Sequence, residues 1–196
     1  AVPRHAQALH MLGVIAAQTK NYQTATDLIG QAIAINPNDA ESYSNRGNAL
    51  LGLKQFEAAV ESYEKAITLS PNVGEFYYNL GNTLKSQNLL SAAIECYEKA
   101  ISINPKSPQA LFNLGNAEVE IRDYQRANSC FAKSYEIQPN TDWLMGMKLH
   151  TKLFLCDWSN LNSELLFIQS EILQLKPTAD PFKTLVLFDN PQIHLL

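Results

Sequence analysis

Six asparagines carry the most suggestive chemistry in this chain. Asn45, Asn79 and Asn113 recur at intervals of 34 residues, and Asn48, Asn82 and Asn116 follow them three residues later. Residues three apart share a helix face, so on helices these side chains form two parallel rows of carboxamides. A carboxamide both donates and accepts, and can therefore grip the N–H and C=O of an extended peptide without reading its side chains. Asparagine is a poor helix former, so six of them within helices need a reason. The alternative is that they bond to neighbouring helices and to water and keep the repeat in register. Tyr78 and Phe112 flank the rows and offer apolar patches to a partner. Lys85, with Glu41, Glu75 and Glu120, makes that surface mixed in charge.

Other chemistry is sparse. The four histidines, His5, His10, His150 and His194, are scattered and form no metal-ligand pair at helical spacing. No glycine-rich phosphate loop is present. Asp157 stands beside Trp158, but acid–base work needs a second positioned group and none can be named. The reading is of a binding chain with no catalytic residue, metal or cofactor of its own. A net charge of −4 gives no electrostatic reason to expect nucleic acid. No apolar run approaches the roughly 18 residues of a membrane span, so neither nucleic acid nor membrane is an expected partner. With 46% hydrophobic and 17% charged residues the chain is globular. Its three cysteines are odd in number and lack metal-ligand spacing. Cys96 and Cys130 hold equivalent positions on neighbouring repeats, where helices pack about 8–10 Å apart. A disulfide needs Cα atoms within about 7 Å, so reduced, partly buried thiols of a cytoplasmic protein are expected.

The elements that position the asparagines come from an internal repeat. Tyr43-Ser44-Asn45-Arg46-Gly47-Asn48, Tyr77-Tyr78-Asn79-Leu80-Gly81-Asn82 and Leu111-Phe112-Asn113-Leu114-Gly115-Asn116 are one segment at a period of 34, and Leu9-His10-Met11-Leu12-Gly13-Val14 is a more diverged copy. Small residues recur at Ala25, Ala59, Ala93 and Ala127 and again at Ala32, Ala66, Ala100 and Ser134. Large ones recur at Ile29, Tyr63, Tyr97 and Phe131, and prolines at Pro37, Pro71, Pro105 and Pro139. Each copy reads as two antiparallel helices. In the third, one spans about Glu75 to Gln87, Asn88 supplies the turn, and another spans about Leu90 to Ile103, ended by Asn104-Pro105. Gly81 and Ala93 are expected to let the two backbones approach closely. Pro3, in the same register, reads as belonging to a preceding repeat.

This pattern resembles the tetratricopeptide repeat over residues 6–141. The resemblance implies an all-α, right-handed superhelix (an α-solenoid) of four helix-turn-helix repeats, 6–39, 40–73, 74–107 and 108–141, preceded by a remnant at 1–5. It also implies an inner groove lined by the first helix of each repeat, where a polypeptide or protein partner binds. A rival within the family grips the acidic carboxyl tail of a chaperone with clustered Lys and Arg, and here only Lys85 is basic on that face.

A stacked array must cover its last apolar face, and residues 142–196 read as that helical cap and linker. Asp142 to Phe154 is predicted as a fifth first-type helix anchored by Trp143, Met147 and Phe154. Ser159 is a plausible N-cap for a helix striped by Leu161, Leu165, Ile168, Ile172 and Leu175 that ends near Lys176-Pro177. A short helix from Asp180-Pro181 to about Phe188 follows, then the first turn of another at Asp189-Asn190-Pro191. Ile193, Leu195 and Leu196 leave the chain looking cut. Cys156-Asp157-Trp158, the Leu-striped helix, Pro181-Phe182 and Asp189-Asn190-Pro191 resemble the linker that precedes the catalytic domain in bacterial O-linked N-acetylglucosamine transferase-like proteins. That resemblance implies a substrate-recruiting region of a glycosyltransferase whose catalytic residues lie beyond Leu196. The first asparagine row is similar to the substrate-binding ladder of the same enzymes. The alternatives are a free-standing adaptor with no enzyme activity and structural self-association through open ends.

Overall fold

The computed structural model describes residues 2–141 and 143–174, and all the regular structure among them is α-helical. The chain forms two compact units, Ala1–Pro105 and Lys106–Leu196. The first unit contains α1 (Val2–Gln18), α2 (Tyr22–Ile35), α3 (Ala40–Gly52), α4 (Phe56–Leu69), α5 (Gly74–Ser86) and α6 (Leu90–Ile103). Consecutive helices pair within each repeat, α2 packs on α3 and α4 on α5, and the first-type helices α1, α3 and α5 touch in sequence. Residues 2–5, set apart above as a remnant, are helical and continuous with α1. The second unit contains α7 (Pro108–Glu120), α8 (Tyr124–Ile137), α9 (Leu144–Phe154) and α10 (Leu161–Leu173). Here α7 pairs with α8, α8 packs on α9, and α9 carries α10.

The turn inside each repeat has one backbone design. Lys20, Lys54, Asn88 and Arg122, spaced by 34 residues, all hold φ between 60° and 66°. The N–H three residues past the helix reaches back to the third-last carbonyl, Asn21 to Ala16, Gln55 to Leu50, Leu89 to Leu84 and Asp123 to Glu118. A shorter inner bond accompanies each, such as Asn88 to Lys85. These paired bonds satisfy carbonyls that a helix end leaves orphaned. Cys156 continues the series at φ 53°, with Asp157 N–H bonded to the Lys152 carbonyl. The segment Cys156-Asp157-Trp158 is therefore the in-register turn of a fifth first-type helix.

Each repeat closes around one buried side chain of its second helix. Ile29, Tyr63, Tyr97 and Phe131 are fully buried. They lie against Gly13, Gly47, Gly81 and Gly115, where an added Cβ would come within 2.5, 2.7, 2.7 and 2.6 Å of them. Gly81 thus makes room for the Tyr97 ring. Ala59, Ala93 and Ala127 are themselves fully buried.

The cap departs from expectation in its anchors. Trp143 adopts φ 66° ahead of α9, which shifts the buried face to Leu144, Met145 and Leu149 and leaves Trp143 and Phe154 41% and 55% exposed. Leu144 packs with Ala127 and Phe131, with Met147 at the edge of that cluster. Phe154 stacks on the Tyr124 ring at 4.3 Å instead. On α10, Ile168 joins Met145 and Leu149, flanked by Leu161 and Leu165, as the apolar stripe predicted. Ser159 does not cap α10, which starts two residues later. Its N–H donates to the Asp157 carboxylate at 3.0 Å, and bonding from Ser159 holds that carboxyl below its ordinary range. Asp142, Leu175, Lys176-Pro177, the helix expected from Asp180-Pro181 to Phe188, Asp189-Asn190-Pro191, Ile193, His194, Leu195 and Leu196 lie outside the described residues.

Candidate functional site

The six asparagines sit on three first-type helices, Asn45 and Asn48 on α3, Asn79 and Asn82 on α5, and Asn113 and Asn116 on α7. Asn45, Asn79 and Asn113 are all half-buried, at one register position. Their hydrogen bonding is not uniform, and the differences separate structural amides from open ones.

In the first unit Asn45 Nδ2 lies 2.8 Å from His10 Nε2 on α1. With the amide as donor, His10 Nε2 accepts and its proton sits on Nδ1, which faces the Asp39 carboxylate 3.9 Å away. Asn48 reaches back to Asn45 Oδ1 at 3.5 Å, and its own Oδ1 accepts from the Tyr63 hydroxyl at 2.8 Å. Asn82 Oδ1 accepts from the Tyr97 hydroxyl at 2.9 Å in the same way. Burial pushes the Tyr63 phenol far above its ordinary pKa, so it stays protonated and donating. Both second-row amides of this unit therefore tie a first helix to its second helix. Asn79 differs. Its backbone carbonyl accepts from Thr83 Oγ1, but its half-buried carboxamide makes no hydrogen bond among the described residues. Tyr78 lies beside it, its ring 6.2 Å from that of Tyr97. Lys85 is half-buried one turn beyond Asn82, and Glu41 and Glu75 are exposed.

In the second unit Phe112 packs on Phe131 with ring centroids 5.7 Å apart. Phe131 holds the place that Tyr63 and Tyr97 hold in the earlier repeats, without their hydroxyl. Asn116, half-buried, has no hydrogen bond to its carboxamide among the described residues. Glu120 is exposed at the end of α7.

Sequence reasoning missed two polar contacts. His10 has no metal partner at helical spacing, and nothing local in the sequence signals its position against Asn45. Glu118 stands in the register column of Leu50 and Leu84 and is fully buried, with Arg126 Nη1 at 2.9 Å. A carboxylate in a leucine column was the available sign that an arginine must come to meet it. The thiols of Cys96, Cys130 and Cys156 are free; burial, helped by Glu95 and Glu64, pushes Cys96 up to about 11. Among the described residues no His, Cys, Asp and Glu group could hold a metal ion, and no helix is long and apolar enough to cross a membrane. A shallow depression lined by Trp158, Asn160, Leu161, Asn162 and Ser163 contains no titratable group.

Comparison with known proteins agrees with this architecture. Models of the tetratricopeptide repeat match residues 6–39 and 108–141, residues 40–73 and residues 62–95, and a further TPR-repeat model matches residues 81–119. A crystal structure of MamA protein superposes with a TM-score of 0.75 at 17% identity, covering 87% of this chain and 94% of that one. MamA from Desulfovibrio magneticus RS-1 is 26% identical with a TM-score of 0.64, over 70% of this chain and 77% of its own. YrrB, described as a TPR protein with an unusual peptide-binding site, superposes with a TM-score of 0.67 at 16% identity, over 95% of this chain and 88% of its own. No curated protein matches the chain by sequence.

Proposed function

We infer that this chain, whose residues 6–141 are tetratricopeptide repeats, binds extended polypeptide segments through the first-type helices, at the register position of Asn45, Asn79 and Asn113. One observation carries the reading: a half-buried amide recurs at one register position on three first-type helices, and at Asn79 its carboxamide has no hydrogen bond among the described residues. An amide not engaged by the protein keeps both its donor and its acceptor open to a bound peptide group. Tyr78 and Phe112 supply apolar contact beside the amides, and Lys85 a positive charge. The peptide-binding site of YrrB is in keeping with this reading.

The test is a titration with a synthetic peptide selected from a random linear library on the wild-type protein. Asn79→Ala together with Asn113→Ala should weaken binding by about 1–3 kcal/mol, with helicity by circular dichroism unchanged. Unaltered affinity would sink the amide-row model.

Two settings for this binding compete. The tail resemblance supports the substrate-recruiting region of an O-linked N-acetylglucosamine transferase-like glycosyltransferase, in which the repeats hold a polypeptide and a domain beyond Leu196 performs the transfer. A free-standing adaptor is favoured by a different observation. The solved chains of MamA protein and YrrB, 94% and 88% covered by this chain, match it over repeats alone. The intact mass of the native polypeptide separates the two. A mass larger by several hundred residues, with transfer of labelled sugar from a nucleotide sugar to the captured peptide, supports the transferase; a mass near 21.9 kDa excludes it. The free thiols fit a reducing, cytoplasmic setting.

A further inference from the structure

The second asparagine row does not have one role. Asn48 and Asn82 each accept from a fully buried tyrosine fifteen residues later, Tyr63 and Tyr97. Asn116 stands at the same offset from Phe131, which is equally buried but has no hydroxyl. The ring position is shared, since Gly115 faces the Phe131 ring as Gly47 faces Tyr63 and Gly81 faces Tyr97. Loss of one oxygen atom thus leaves the half-buried Asn116 carboxamide without a hydrogen bond among the described residues, four residues from Phe112 on the same helix.

We propose that the row is divided: Asn48 and Asn82 are latches that hold each first helix on its second, whereas Asn116 is a polypeptide contact released by Phe131. The proposal rests on the peptide-binding reading above and narrows it. With no phenol opposite, Asn116 Oδ1 is open to a donor and its NH2 to an acceptor. A backbone peptide group supplies both. Phe112 lies one turn away on the same face and, packed on Phe131, presents an apolar wall. The preferred segment is therefore extended, with an apolar side chain next to the peptide group that Asn116 holds. Position 131 sets this preference without touching the ligand, which makes Phe131 a positioning residue.

The experiment uses the selected synthetic peptide and the full chain, with affinity by calorimetry and stability by thermal melting. Phe131→Tyr should close a third latch and weaken binding about fivefold, the worth of one neutral hydrogen bond, with the melting temperature unchanged or raised. Asn116→Ala should weaken binding to a similar extent without lowering stability, and it needs no buried hydroxyl to fit. Asn82→Ala should lower the melting temperature and leave affinity unchanged. In amide-resolved NMR spectra the peptide should shift the Asn116 side-chain NH2 and leave those of Asn48 and Asn82 in place. If Asn79→Ala weakens binding while Asn116→Ala and Phe131→Tyr bind as wild type, the division is wrong and the first-row reading survives. If no peptide is enriched on the wild type, or Asn79→Ala and Asn116→Ala both bind normally, both readings fall.

Discussion

Gly30 and Gly81 both interrupt helices, yet their neighbours predict opposite responses to a methyl group. Nothing lies within 4 Å of a Cβ built at Gly30 on α2, whereas at Gly81 on α5 it would meet the Tyr97 ring at 2.7 Å. Gly30→Ala should stabilise by up to about 1 kcal/mol, the helix-propensity difference. Gly81→Ala gains the same amount and loses about 1–3 kcal/mol to overpacking, for a net loss of about 1 kcal/mol; urea denaturation measures both. Cys96 supplies a second prediction at this scale. Burial raises its pKa to about 11, so at pH 8 hardly any is thiolate, the reactive form. Iodoacetamide at that pH should label exposed Cys156 well before Cys96, and Cys96 should react readily only as the pH climbs towards 11. Mass spectrometry of timed digests reads the order. The asparagine rows were legible in the sequence because a period of 34 repeats them visibly. Which amides were already engaged was not, because the deciding atoms, the hydroxyls of Tyr63 and Tyr97 and the ring nitrogen of His10, belong to other helices.

At the scale of the element, α10 is held to α9 by charge as well as by its apolar stripe. Lys152, 5% exposed, donates to Glu164 Oε2 at 2.8 Å, and Lys148 reaches the other carboxylate oxygen at 3.2 Å. Removing one partner of a buried ion pair leaves the other desolvated and uncompensated. Glu164→Ala should therefore cost about 3 kcal/mol of the docking of α10. Hydrogen exchange should show it as lost protection at Leu165 and Ile168, with α7 and α8 keeping theirs. Helix boundaries inside the repeats were legible to within a residue. Leu90 to Ile103 was expected and is α6, and α5 begins and ends one residue earlier than the expected Glu75 to Gln87. The cap was less so. Its α9 anchors were assigned by spacing alone, and a single left-handed residue, Trp143, turned the buried face onto Leu144, Met145 and Leu149. Left-handed backbone at a tryptophan costs energy that only surrounding packing explains, so no local rule announces it.

Over the whole molecule, the repeat was plain and the division after Pro105 was not; Pro105 closes its copy as Pro37 and Pro71 close theirs. Within the first unit each helix packs on its neighbours in sequence, so stability adds up from local terms. The resemblance to YrrB and MamA is a likeness of this stacking. The recurring left-handed turn carries a consequence of its own. Lys20, Lys54, Asn88, Arg122 and Cys156 hold nearly the same φ at a spacing of 34, so each turn launches the next helix at one fixed phase. One added residue there would rotate the following helix by about 100° and point its apolar face to water. A whole block, by contrast, preserves the phase. Inserting a second copy of residues 40–73 after Val73 creates only junctions of a kind already present. The lengthened chain should fold, with helicity rising in proportion and a melting temperature no lower than that of the parent, as circular dichroism would show. Growth in this protein is thus quantised: copy number is free to change, and spacing is not.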